Sequence, residues 1–191
     1  MGMKWEDFVA KHKKAFVEHW FEDVVLTYPE ETVRFIKSEK NPFLNPVGAA
    51  IKEGIEGVVD WLVVGYGESK EEEGAEEEDS GLVTFLDRII RVRAVQEFKP
   101  SEALRFIQSL KRVFRKLLAS SDDEIEGGEL EEFDSVVDEV MLKALDIYSA
   151  CREQLYELRV QEVKNRTFRL LQRAGLVYEI SGEEAGQEGR E

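Results

Sequence analysis

"DIYSACREQLYELRVQEVKNRTFRLLQRAGL", residues Asp146 to Leu176, contains no proline, and its one glycine stands at position 175. Extended backwards, the sequence from Leu130 to Ala174 contains neither residue. A single helix over that range would span about 68 Å at about 1.5 Å per residue. A compact chain of 191 residues measures only about 40 Å across, so the helix is expected to overhang the rest or to bend. Its apolar pattern has two halves. Val137, Met141, Ala144, Tyr148, Cys151, Leu155 and Leu158 alternate at four and three residues, the spacing of a bundle core or coiled-coil seam. Near Tyr156 the register slips, and Tyr156, Val160, Val163, Thr167, Leu170 and Ala174 continue on a rotated face. The first half is expected to pack on the domain's own helices. The second, flanked by Arg159, Lys164, Arg166, Arg169 and Arg173, is left for a partner, most simply a second copy of the chain. Those six residues are the candidate dimer or output face.

The remaining segments also read as helices. Trp5, Phe8, Val9, His12, Phe16, Trp20 and Val24 form one stripe at intervals of three and four. Pro29 with Glu30 and Glu31 starts a short helix to Lys37. In "NPFLNP" (Asn41–Pro46) two Asn-Pro steps make a turn; Asn45 caps the next helix and Pro46 begins it. That helix, to about Tyr66, places Ala50, Gly54 and Gly57 on one face, which predicts a close-packed seam. Leu82–Phe98 is rich in β-branched residues, yet it runs without a turn signal and is read as a helix. Pro100 opens the next, with Leu104, Phe106, Ile107, Leu110, Val113, Phe114, Leu117 and Leu118 as its buried stripe.

Charge is unevenly placed. The net charge is −15, and it resides in two connectors, residues 68–79 and 122–132, and in the tail, residues 177–191. The folded part is close to neutral, and acidic runs of this kind are expected to be solvated. A polyanion would meet like charge, which argues against nucleic acid as a partner. No apolar run reaches the roughly 20 residues needed to cross a bilayer, and "MGMKWEDF" has no signal core, so a cytoplasmic protein is expected. One cysteine, Cys151, leaves no internal disulfide and no cysteine cluster for a metal. Its place on the seam predicts burial rather than redox chemistry.

Catalytic patterns are not found. His12 and His19 are the only histidines; they lie seven apart and read as ordinary helix residues, with haem or metal ligation as the alternative. "GYGESK" (Gly65–Lys70) lacks the strand and spacing of a phosphate loop. "DDEIEGGELEEF" (Asp122–Phe133) fails as a calcium loop, because its twelfth residue is Phe133 instead of glutamate. Arg152 and Arg159, with Arg88, Arg91 or Arg93, are a weak candidate for holding a small anion. Arg105, Lys111, Arg112, Arg115 and Lys116 make one flank of a helix basic. Of these, Arg105, Arg112, Arg115 and Lys116 are the candidate docking face for an acidic partner.

Three stretches carry a resemblance: "YPEETVRFIKSEKNPFLNPVGAAIKEGIEGVVDWL" (28–62), "RIIRVRAVQEFKPSEA" (88–103) and the opening helix (146–176). They resemble the N-terminal domain of RsbRD-type proteins, the RsbT co-antagonists, over roughly Trp20 to Leu176. The resemblance implies a sensory module that, in the family, precedes a STAS domain engaging a switch kinase, with a dimeric, non-haem, globin-like arrangement. No catalytic motif and no cofactor come with it. After Leu176 only "VYEISGEEAGQEGRE" follows, too short for a STAS domain, so either a separate STAS-domain protein or switch kinase supplies the output, or the sequence is a cut piece of a longer chain, or the module has another role.

The expectation is therefore an all-α, globin-like bundle over residues 1–176 with a long C-terminal helix and an acidic tail. Its expected function is that of a non-enzymatic sensory and interaction module, acting as a homodimer. Other readings are a haem- or small-ligand-binding sensor, an accessory protein of an anaerobic redox complex, and an enzyme or carrier with a pocket beneath Trp5, Trp20 and Trp61.

Overall fold

The structure, a computed structural model, describes residues 2–39, 41–66, 79–96 and 98–176. Among them are seven α-helices: α1 (Trp5–Lys11), α2 (Lys13–Val25), α3 (Glu30–Ser38), α4 (Pro46–Asp60), α5 (Asp79–Val95), α6 (Pro100–Ser120) and α7 (Glu129–Arg173). The protein is all-α with a long C-terminal helix. The connector 68–79 lies outside the described residues apart from Asp79, the first residue of α5, and so does the tail 177–191. Most of "GYGESK" lies outside them as well.

Local chemistry sets several helix ends. Asn45 accepts the Gly48 amide at 2.9 Å and gives its own amide to the carbonyls of Ile36 and Glu39, so one side chain caps α4 and closes the preceding turn. Beyond Asp60 the helix widens into a π-turn at Trp61–Gly65. At the far end of α7, Gly175 adopts φ 67°. The amide of Leu176 then reaches the Leu171 carbonyl and that of Gly175 the Gln172 carbonyl, the glycine-dependent closure of a helix C-terminus.

The long first helix expected from the Trp5–Val24 stripe is two helices. His12 sits between them at φ −103°, ψ 14°. Lys11 and His12 both reach Asp123, at 2.6 and 2.7 Å, so a contact far along the chain sets this break.

The chain divides into two compact units, Met1–Arg152 and Glu153–Glu191. The first is built on an aromatic core. Phe114 and Phe133 stack at 4.3 Å between centroids, Phe8 lies 5.0 Å from Phe114, and Trp5 lies 5.4 Å from Phe133. Trp20 stacks on Phe106 and donates its indole proton to the Phe106 carbonyl at 2.7 Å. Trp5 and Trp20 are fully buried as core residues. The glycine seam of α4 receives α5: a Cβ at Gly57 would lie 2.2 Å from the Phe85 ring, and one at Gly54 2.5 Å from Ile89. Proximally, α7 buries Phe133, Val136, Val137, Val140, Ala144, Tyr148 and Cys151 in this unit. The second unit, in its described part, is the continuation of α7 and its closing turn to Leu176.

Candidate functional site

All six residues of the distal stripe, Tyr156, Val160, Val163, Thr167, Leu170 and Ala174, are exposed, Val163 by 64%. Helix geometry brings them onto one face. Leu155 and Leu158 do not extend the buried seam as expected: Leu155 is half-buried, and Leu158 is exposed on another side. In heptad terms Val160, Thr167 and Ala174 take the a positions and Tyr156, Val163 and Leu170 the d positions. One flank, the g column, is then Arg159, Arg166 and Arg173, while the e column is Glu157, Lys164 and Leu171.

In the first unit α7 is fastened just before this stripe. Tyr148 donates its hydroxyl proton to the Phe98 carbonyl at 2.6 Å, and Arg152 donates to the Ala94 carbonyl at 3.2 Å. Cys151 is buried, with Sγ 3.8 Å from Asp87 Oδ1. Burial, and then the Asp87 charge, push its thiol above the ordinary value, which is the opposite of what a reactive thiolate needs.

Beside this fastening lies a residue whose role sequence reasoning missed. Arg93 is fully buried. Its guanidinium donates to the Ala103 carbonyl, the Thr27 hydroxyl and the Glu102 carbonyl, each at 2.9 Å. It also lies over the Phe98 ring at 4.3 Å and the Tyr28 ring at 5.3 Å. Burial lowers its pKa, while burial raises that of the Tyr28 phenol. The signal was its position: Arg93 falls on the apolar stripe of Leu86, Ile89 and Ile90, which are all buried.

The arginines considered for an anion site are engaged separately. Arg88 pairs with Glu53, Arg91 with Asp87, and Arg93 and Arg152 with backbone. The basic flank of α6 is largely neutralised. Lys111 pairs with Asp138 and Arg112 with Asp23, at 2.6 and 2.8 Å, and Arg115 pairs with Asp134. Arg105 and Lys116 are exposed on the same helix.

The acidic run 122–132, expected to be solvated, is in part a fastening for the N-terminus. Asp123 holds Lys11 and His12, Ile125 forms a parallel bridge with Met3, and Glu129 accepts the Trp5 amide at 2.9 Å. Hydrogen bonds from Lys11 and then His12 hold the Asp123 carboxyl below its usual range. His12 is thus committed to Asp123. His19 lines a cleft of about 800 Å³ between α2, α3 and the start of α4, together with Val17, Phe21, Ile36 and Ala49. Among the described residues no three His, Cys, Asp or Glu side chains gather as a metal site. No helix among them is long and apolar enough to cross a membrane.

Comparison with known proteins matches residues 14–163 to the family described as "RsbT co-antagonist protein rsbRD N-terminal domain". A protein of uncharacterised function from Archaeoglobus fulgidus is 27% identical over 152 residues, which cover 78% of this chain and 83% of that protein. No solved structure matches the chain. The matched span takes in α2 through α6 and most of α7, including the Arg93 cluster and the first half of the distal stripe, and on that extent the chain belongs to the family of RsbT co-antagonist rsbRD N-terminal domains.

Proposed function

We propose that this protein is a non-enzymatic sensory and protein-interaction module, cytoplasmic and globin-like without haem, that regulates a partner through the distal half of α7. One observation carries the reading. The helix that gives the first unit a buried face as far as Cys151 presents, from Tyr156 onward, an apolar stripe that is exposed throughout. A change in the helical core that shifts the turn holding Tyr148 and Arg152 acts on the same helix that bears the stripe. Family membership supports partner-switching signalling, with a separate STAS-domain protein or switch kinase as the output.

The test is Val160→Gln/Val163→Gln/Leu170→Gln in the full chain. The triple variant keeps its helical circular dichroism and thermal midpoint and loses association with the output protein in a co-precipitation of the two purified components. Association that survives unchanged sinks the reading.

The cleft beside His19 favours a second, compatible reading in which the sensed signal is a small molecule. His19 lines that cleft, and its Nδ1 is buried with no hydrogen-bond partner among the described residues. Titration with candidate metabolites should then give a saturable change in tryptophan fluorescence that His19→Leu abolishes.

A further inference from the structure

Resting on the reading of the cleft beside His19 as a small-molecule site, we infer that its ligand is an organic cation, an amine carried on an apolar body. At about 800 Å³ the cleft falls within the range of small-molecule sites. Val17, Phe21, Ile36, Pro42 and Ala49 give it apolar walls; Ile36 is buried, and Val17, Phe21 and Ala49 are half-buried. Such walls hold a hydrocarbon body by burial and leave its polar end to the rim.

Charge at the rim sets the sign of that end. Glu18, Glu22 and Glu39 supply carboxylates there, and Lys37 and Lys52 supply ammonium groups. Both lysines are already matched. Lys37 reaches Glu22 at 3.1 Å, and Lys52 lies 3.9 Å from Glu56, one turn further along α4. Glu39 accepts the Asn41 amide at 2.7 Å, but among the described residues neither Glu39 nor Glu18 is paired with a cation. The spare charge is therefore negative. A bound carboxylate or phosphate would have to draw a lysine from its partner and would still face Glu18 and Glu39, whereas an ammonium finds both open.

The helix ends at the cleft do not reverse this sign. The N-terminus of α4 favours anions in principle, but Pro46 has no amide proton and that of Gly48 is given to Asn45. The same Asn45 side chain holds the carbonyls of Ile36 and Glu39, so the negative end of α3 lies beside it. Phe21 contributes an aromatic ring to the wall, a group that attracts ammonium ions over its face. The imidazole of His19 can accept from an amine or donate to a carboxylate, so the choice falls to Glu18 and Glu39. A bare metal ion fits poorly: among the described residues no three His, Cys, Asp or Glu side chains gather, and apolar walls offer it no oxygen ligands.

Three probes of similar shape are titrated into the full wild-type chain at low salt: 2-phenylethylamine, 2-phenylethanol and 3-phenylpropionate. Ligand-observed NMR gives the three dissociation constants. The amine is expected to bind about tenfold more tightly than the propionate, with the alcohol between them, and about 0.5 M salt should bring amine and alcohol together. A chain of net charge −15 attracts any cation, so the location of the effect is decisive. Glu18→Gln/Glu39→Gln keeps the oxygen that accepts the Asn41 amide; it should weaken the amine about fivefold and leave the alcohol unchanged. Glu131→Gln/Glu139→Gln removes two exposed carboxylates of α7 and should change neither. Equal losses in the two variants, an amine no tighter than the alcohol, or a preference for the propionate would each overturn the inference. If His19→Leu still abolishes alcohol binding in such a case, the small-molecule reading stands and only the amine is lost. Failure of all three probes to bind saturably removes both.

Discussion

Arg93 and Phe98 face each other with the guanidinium carbon 4.3 Å from the ring centroid, and the carbonyl of the same phenylalanine receives the Tyr148 hydroxyl from α7. A buried cation is thereby joined through one residue to the helix that carries the distal stripe. Arg93→Ala removes three hydrogen bonds and the ring contacts together, and is expected to cost about 3 kcal/mol. Arg93→Lys should recover less than half of that, because a single ammonium cannot reproduce a planar fork directed at three acceptors. Urea unfolding of the three proteins measures both effects. A fully stable lysine variant would show that charge alone matters there.

Acid should weaken the fastening of the N-terminus at Asp123. This carboxyl ionises at a lower pH in the folded chain than in the unfolded one, because Lys11 and His12 hydrogen-bond its charged form. Such a group contributes its full stabilisation above the unfolded pKa, near about 3.9, and loses it as the pH falls through the folded value. Asp123→Asn should therefore lower the urea midpoint by a constant amount from neutral pH down to about 5, with the gap closing below about 4. A gap that stays constant into acid would mean that the carboxylate contributes through shape and not charge.

The α4–α5 seam gives a contrast between two glycines. Gly57→Ala drives a methyl into the Phe85 ring and should cost about 2 kcal/mol. Gly81, in the first turns of α5, has nothing within 4 Å of the corresponding position, so Gly81→Ala should stabilise by about 0.5–1 kcal/mol. Equal denaturant midpoints for the two variants would contradict this account of the seam.

Helix identity was legible in the sequence wherever the determinants are local. Asn45 before Pro46, Pro100, and Gly175 each act within one turn, and the apolar spacing of α6 and proximal α7 is that of their buried faces. What escaped depends on distant partners. Nothing in "KHKK" (Lys11–Lys14) requires a break; Asp123, 111 positions away from His12, imposes it. The charge density of residues 122–132 reads as a solvated linker, yet Asp123, Ile125 and Glu129 hold the N-terminus. Arg93 reads in the sequence as one of several arginines available to an anion because charge normally seeks water, although its stripe position points inward. The distal stripe was readable as a face, since helical spacing alone defines it. The boundary with the buried seam was not, because Leu155 and Leu158 keep the right spacing after the helix has stopped being covered.

The bridge between Met3 and Ile125 also bears on the order in which the chain can be built. Closing so long a loop is entropically slow compared with forming helix contacts within neighbouring segments. Trp5 and Phe8 are the first core residues to be synthesised, yet their partners Phe114 and Phe133 are made more than half a chain later. On the ribosome Trp5 can meet Tyr66 early, but the cover that Phe114 and Phe133 give the N-terminal helix has to wait until residues 114–133 have emerged.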